Sequence, residues 1–182
     1  VLLDTEPLHG KAWKKTAAYF GTLLTNDQLK LLQGRRRRDC ANQLAIWINK
    51  TTSIENILRI HQPHSKELVS KAKAMPGAKE LIGWCSKNKL PISLVTSSAS
   101  SSVNSKISPH PWLNSFSTRV HGDDPSLIEG KPSPHPYLLG AKKLNVDPKK
   151  CWAIEDSLSG AKSAISAGCY VWLLKNNSNK NL

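Results

Sequence analysis

The sequence is short of negative charge. It carries 13 Asp and Glu against 26 Lys and Arg, a formal net charge of +13 over 182 residues. It has one Met, two Phe and four Cys. No apolar run approaches the roughly 20 residues of a membrane-spanning helix. Each shortage excludes something. Cys40, Cys85, Cys151 and Cys169 form no CxxC pair, and none has a histidine at zinc-finger spacing, so no structural zinc site is expected. They read as reduced, buried thiols of a cytoplasmic protein. The first residues include Asp4 and Glu6 and lead into no apolar stretch, so they do not form a signal peptide. With 39% hydrophobic and 21% charged residues the chain is globular rather than disordered.

The positive excess permits an anionic partner. A nucleic-acid binder would cluster that charge beside aromatics or on a recognisable module. Only Arg35 to Arg38 form a true cluster, and the lysines are scattered singly or in pairs along helical patterns. Most of the charge reads as solvated surface, and a small phosphate-bearing substrate explains the rest. No nucleic acid and no membrane are expected as partners, and a monomer is the default.

Two textures divide the chain. Residues 7 to 73 carry helical periodicity only, which predicts a small helical bundle. GKAWKKTAAYFG is one helix. TNDQLKLLQG is a second, with Thr25 or Asn26 as N-cap and Gly34 closing it. RRDCANQLAIWINK follows, then SIENILRI and SKELVSKAKA, broken at Pro63. From residue 74 strands and helices alternate. PISLVT, RVHGDD, CWAIED and YVWLL read as strands, and the segments between them as helices. This rhythm predicts an α/β fold with a Rossmann-like parallel sheet, helices on both faces, and chemistry at the carboxyl ends of the strands.

The strand ends do carry reactive groups. PISLVT ends in Thr96-Ser97-Ser98, hydroxyls at a strand-to-helix turn that suits an oxyanion or phosphate. In GKPSPHPYLLGAKKL, Lys131 stands just before Pro132 and Pro134, whose rings hold the backbone that carries it. A fixed cation suits a developing phosphoryl charge. CWAIEDSLSG places Glu155 and Asp156 after a short apolar strand. Adjacent buried carboxylates repel unless a cation neutralises them, and oxygen ligands suit Mg²⁺. A hydroxyl, a fixed Lys and a carboxylate pair describe a Mg²⁺-dependent phosphoryl-transfer site. One part is absent, since no carboxylate nucleophile follows a strand.

VLLDTEPLH, PGAKELI, SLVTSS, GKPSPHPYL and IEDSLSGAKSAISAG together resemble the haloacid dehalogenase superfamily, in its β-phosphoglucomutase-like and sugar-phosphate phosphatase branch. The resemblance spans nearly the whole chain, and the order of its motifs makes it stronger than any one of them. It implies a helical cap (7–73) inserted after the first strand of an α/β core (74–182), with residues 1–6 as the remnant of the first motif and the hinge. In that family the first strand ends in Asp-x-Asp-Gly, just ahead of a stretch like VLLDTE. The nucleophilic Asp, the acid/base Asp and that strand are therefore expected upstream of Val1, and a chain without them is expected to be inactive. The resemblance gives Ser97 and Lys131 the catalytic contacts to the transferring phosphate, with Ser98 beside them. It gives Asp156 the Mg²⁺, with Glu155 contributing directly or through water. Asp4 and Thr5 become the hinge and His9 the cap's histidine. Gly34 and the arginines after it become the loop that reads substrate, with Arg37 the best placed of the four. His135 stands where the family often has Asp. KNNSNKNL lacks the family's last strand and helix.

The expected function is that of a Mg²⁺-dependent phosphatase acting through an aspartyl-phosphate on a small phosphorylated metabolite, a sugar phosphate. A β-phosphoglucomutase, or a catalytically inactive binding protein, is the alternative.

Overall fold

The structure is a computed structural model that describes residues 1–48, 51–69 and 71–175. Most of KNNSNKNL lies outside the described residues.

Four helices come first: α1 (Glu6–Tyr19), α2 (Asn26–Leu32), α3 (Arg37–Trp47) and α4 (Ile54–Val69). Pro7 opens α1, where a missing N–H costs nothing. Thr25 caps α2 in a full capping box, its hydroxyl accepting from Gln28 N while the Gln28 side chain accepts from Thr25 N. The helices close on one apolar cluster that includes Trp13, Phe20, Leu44 and Ile57. Pro63 does not break the chain into two helices as expected, because α4 runs through it. Proline deletes the bond to the carbonyl four residues back. That residue, Arg59, is exposed, so water can take the freed group.

The bundle is closed at its base. Leu3 and Ala74 form an antiparallel bridge, Asp4 N donates to the Lys73 carbonyl at 2.9 Å, and Met75 N donates to the Leu2 carbonyl at 2.9 Å. The chain thus enters and leaves the helical part side by side.

Then come α5 (Ala78–Lys87), β1 (Ser93–Val95), α6 (Ser100–Ile107), β2 (Thr118–Val120), α7 (His135–Leu144), β3 (Trp152–Glu155), α8 (Leu158–Ser166) and β4 (Tyr170–Leu173). β1 pairs with β2 in parallel, Ser93 opposite Thr118. β3 pairs with β4 in parallel, Trp152 opposite Tyr170. The expected single sheet is therefore, among the described residues, two separate pairs, and no described strand bonds to both β1 and β3. A cavity of about 2000 Å³ is lined by both, from Ile92–Ser98 on one side and Trp152–Asp156 on the other. The burial of β3 is also less than expected: Ala153 is buried, but Trp152 is 68% exposed and stacks on Trp172. The four cysteines are free, but only Cys40 is buried, and the other three are half-buried.

Candidate functional site

Three chain segments meet where β1 and β3 end. Lys131 is the centre. Its Nζ donates to the Val95 carbonyl at 3.2 Å, at the end of β1, and to the Glu155 carboxylate, at the end of β3. Lys131 is 7% exposed and Glu155 4%. Burial of this kind is tolerated only when each charge has its counter-charge. Tyr137, on the first turn of α7, completes the group. Its hydroxyl donates to the same carboxylate, and its ring lies 5.2 Å from Lys131 Nζ. Burial, and then the Glu155 charge, push the Tyr137 phenol up, so it stays protonated as a donor. Gly160 lets α8 approach, since a Cβ there would overlap the Glu155 carboxylate.

Asp156 is half-buried beside this group, its Oδ2 2.6 Å from the Val1 nitrogen. Ser157, next along, caps α8 by accepting from Gly160 N at 3.0 Å. The two adjacent carboxylates thus have different neighbours. Glu155 is taken up by Lys131 and Tyr137. Asp156 lines the cavity beside them, and a carboxylate oxygen there is the kind of ligand Mg²⁺ takes. Among the described residues no group of three or more His, Cys, Asp or Glu forms a metal cluster. Mg²⁺ usually needs only one or two carboxylates, with water and substrate phosphate supplying the rest.

The helical part reaches this site through the turn after α2. Gly34 has φ of +70°, and a Cβ there would overlap Ser157 Oγ. Its carbonyl accepts from Ser97 Oγ at 2.7 Å, and its N–H donates to Glu6. The backbone of one residue therefore touches α8, the end of β1 and the start of α1. Burial, then the neighbouring Asp156, push the Glu6 carboxyl up to about 7.

The four arginines separate. Arg36 pairs with Asp39 at 3.0 Å and lies against Gly130, next to Lys131. Arg38 is exposed and pairs with Glu55 at 3.1 Å. Arg35 and Arg37 are half-buried, and they line the cavity together with Arg38. Arg37 lines the cavity with His9 and Lys106, and burial lowers the affinity of its guanidinium for the proton. Burial, then Lys106 and Arg37, hold the His9 imidazole down at about 3, so it is neutral. Burial, then Arg37, lower the Lys106 ammonium to about 8, with Glu6 opposing. Lys106 Nζ donates to Ser98 Oγ at 3.2 Å.

Of the residues singled out in the sequence, Ser97, Ser98, Lys131, Glu155, Asp156, Thr5, His9, Gly34 and Arg37 all line one cavity. Asp4 does not; it is exposed and held through its backbone. The Ser97 hydroxyl is engaged with Gly34, and Thr96 accepts from Ser98 N at 3.1 Å. His135 opens α7 and lies outside the cavity. Glu6, Lys106 and Tyr137 join the site although no sequence pattern singled them out. The one hint for Tyr137 was its place a turn after Pro134. Lys106 ends a Ser-rich helix and looks like a surface lysine.

The sequence pattern of the family described as "Haloacid dehalogenase-like hydrolase" matches residues 1–174. The chain is 31% identical over 169 residues to a phosphorylated carbohydrates phosphatase of Thermotoga maritima, spanning 92% of this chain and 77% of that protein. It is 27% identical over 172 residues to hexitol phosphatase A of Escherichia coli, spanning 93% and 76%. The crystal structure of a β-phosphoglucomutase from Clostridium difficile superposes with a TM-score of 0.83 at 23% identity, covering 99% of this chain and 82% of that one. At that identity the likeness speaks for the fold.

Proposed function

The chain belongs to the haloacid dehalogenase-like hydrolase family, and from that membership and the geometry of the site we propose a Mg²⁺-dependent phosphatase that hydrolyses a small phosphorylated metabolite of the sugar-phosphate class. The observation that carries it is Lys131, a buried cation tied to the ends of β1 and β3 with Asp156 alongside. Two relatives that act on phosphorylated carbohydrate and on hexitol phosphate support the substrate class.

Each group has a task. The Ser97 N–H and the hydroxyls of Ser97 and Ser98, with Ser97 turning from the Gly34 carbonyl, receive the phosphoryl oxygens at the turn into α6. Lys131, held by Val95 and Glu155, offsets the charge that builds on those oxygens without having to reorganise. Asp156 would hold Mg²⁺, which adds positive charge where the phosphoryl oxygens lie. The resemblance supplies an aspartate nucleophile from the strand ahead of Val1, so that transfer proceeds through an aspartyl-phosphate. The helical part, seated through Gly34, excludes bulk water while the ester is cleaved. Arg37 contacts the part of the substrate that does not transfer.

The test is phosphate release by the protein that includes the strand ahead of Val1, from a panel of sugar and polyol phosphates, with and without Mg²⁺, beside Asp156→Asn. Release that depends on Mg²⁺ and falls at least about 100-fold in the variant supports the proposal. Release indifferent to both, or none from any phosphate ester, overturns it.

A further inference from the structure

The pairing of β1 with β2 does not stop where the strands end. Thr96 N donates to the Val120 carbonyl at 2.9 Å, and Gly122 N donates to the Ser98 carbonyl at 2.9 Å. The Asp123 carboxylate then accepts from Ser100 N at 2.8 Å and from Ser100 Oγ at 3.0 Å. Residues 96, 98 and 100 are each tied to the segment 120–123. Gly122 permits the close approach, since a Cβ there would overlap the Ser97 carbonyl. The turn between β1 and α6 is thus clamped along its length by the loop that leaves β2.

Asp123 closes this series and does what no nearer residue does. The first N–H groups of a helix have no partner inside it. α6 begins at Ser100 with Ala99 in the cap position, and Ala99 has no side chain with which to accept from them. Asp123 supplies the missing acceptor from the other loop, and a carboxylate suits the positive end of a helix. A local cap would fix only α6. This one fixes the turn relative to β2. Asp124, next in the chain, is used differently. It accepts from Ser126 N at 3.0 Å and from Lys143 of α7 at 2.5 Å, and it holds its own loop.

We infer that Asp123 is a positioning residue for phosphoryl transfer: acting through Ser100, it holds the turn Thr96–Ser100 so that the Ser97 N–H and the Ser97 and Ser98 hydroxyls stand where the transferring oxygens arrive. The inference rests on the phosphatase proposal and names a further residue that serves it. Both Asp123 oxygens are engaged by Ser100, so the carboxylate reaches the substrate only through the turn. Donors set in advance stabilise developing charge without reorganising. When they drift, Lys131 still holds the ester, but the transition state loses its aligned partners. The loss therefore falls on kcat rather than on KM.

Steady-state phosphate release by the protein that includes the strand ahead of Val1 tests this. Asp123→Ala cuts the tie from one side. Ser100→Pro cuts it from the other, because proline has neither N–H nor hydroxyl, and the first position of a helix accepts it. Ala99, at φ −65° and ψ 153°, already has the extended backbone that a residue before proline needs. Each variant is expected to lower kcat about tenfold or more with KM within about threefold, and the double variant to be no slower than the slower single one. Asp123→Asn keeps an oxygen for Ser100 N and should recover most of the rate. Asp124→Ala loosens the same loop without touching the turn and should leave kcat near wild type. Rates are taken well below the melting temperature of each variant, read by circular dichroism. If the wild type releases phosphate and a folded Asp123→Ala or Ser100→Pro keeps its kcat, the inference fails while the phosphatase proposal stands. It fails in the same way if Asp124→Ala is as slow as they are, or if the two losses multiply in the double variant. If the wild type releases none, both fail.

Discussion

Lys131 and Glu155 meet across a break in the sheet. Lys131 leaves the loop before α7, crosses to the Val95 carbonyl at the end of β1, and pairs with Glu155 at the end of β3. One buried ion pair thus ties two strand pairs that share no ladder. It also places a positive charge where a phosphoryl group would lie.

Removing one partner of that pair leaves a buried charge alone. Lys131→Met is expected to destabilise the protein by about 3–5 kcal/mol. The double substitution Lys131→Met, Glu155→Leu should recover much of the loss, because both charges then disappear. Urea unfolding of the three proteins measures this. A double variant as unstable as the sum of the single ones would show that the pair is not coupled.

Gly34 holds the helical part against α8. Gly34→Ala puts a Cβ into Ser157 Oγ at a backbone angle that side chains rarely adopt, and a cost of about 1–3 kcal/mol follows. Ser97→Ala removes only the hydrogen bond to the Gly34 carbonyl, with about 0.5–1.5 kcal/mol expected. Thermal melts should rank the two in that order. Gly34→Ala should also lower kcat/KM, since the loop that carries Arg37 moves with it.

His61 predicts a pH dependence. It is 1% exposed, bonded through Nδ1 to Thr16 Oγ1 at 3.1 Å, and stacked on Trp13 with ring centres 3.7 Å apart. Burial, then Arg37, hold its imidazole down at about 3, against 6.5 for a free histidine. Between those values the unfolded chain binds a proton that the folded chain refuses. Stability is therefore full above pH 6.5 and falls as pH drops toward 3, by up to about 1.4 kcal/mol per pH unit from this group. Glu6, with its carboxyl raised, acts in the opposite sense between pH 4.5 and 7. The comparison is thus the slope of stability against pH in wild type and in His61→Gln. Equal slopes would count against a neutral buried His61.

The helical cluster should fail on its own terms. Leu44 is fully buried at 0% exposure, and Leu44→Ala is expected to cost about 2–5 kcal/mol. Its effect on KM at a temperature where the protein remains folded should be small, because Leu44 does not line the cavity.

Much of this was legible in the chain itself. Periodicity separated a helical stretch from an alternating one, since a 3.6-residue and a 2-residue repeat bury different patterns of side chain. The placement of Lys131 just before two prolines and of Asp156 after an apolar run pointed to strand-end chemistry, because those signals are local. Pro63 misled for the same reason: the rule that proline ends helices does not know that Arg59 faces water.

What lay beyond the sequence was every pairing over distance. That Glu155 answers Lys131 depends on which way the side chains leave the end of β3, and on α7 bringing Tyr137 to the same carboxylate. That Arg36 pairs with Asp39 and Arg38 with Glu55, while Arg35 and Arg37 are half-buried at the cavity, depends on how the start of α3 is set against its neighbours. Lys106 is one more lysine in a basic chain until the fold half-buries it with its ammonium on the Ser98 hydroxyl. Which groups could hold charge was settled in the chain, because that is a property of residue type and local backbone. Which of those charges are matched was settled by the fold alone, because burial and distance fix the cost of leaving one unanswered.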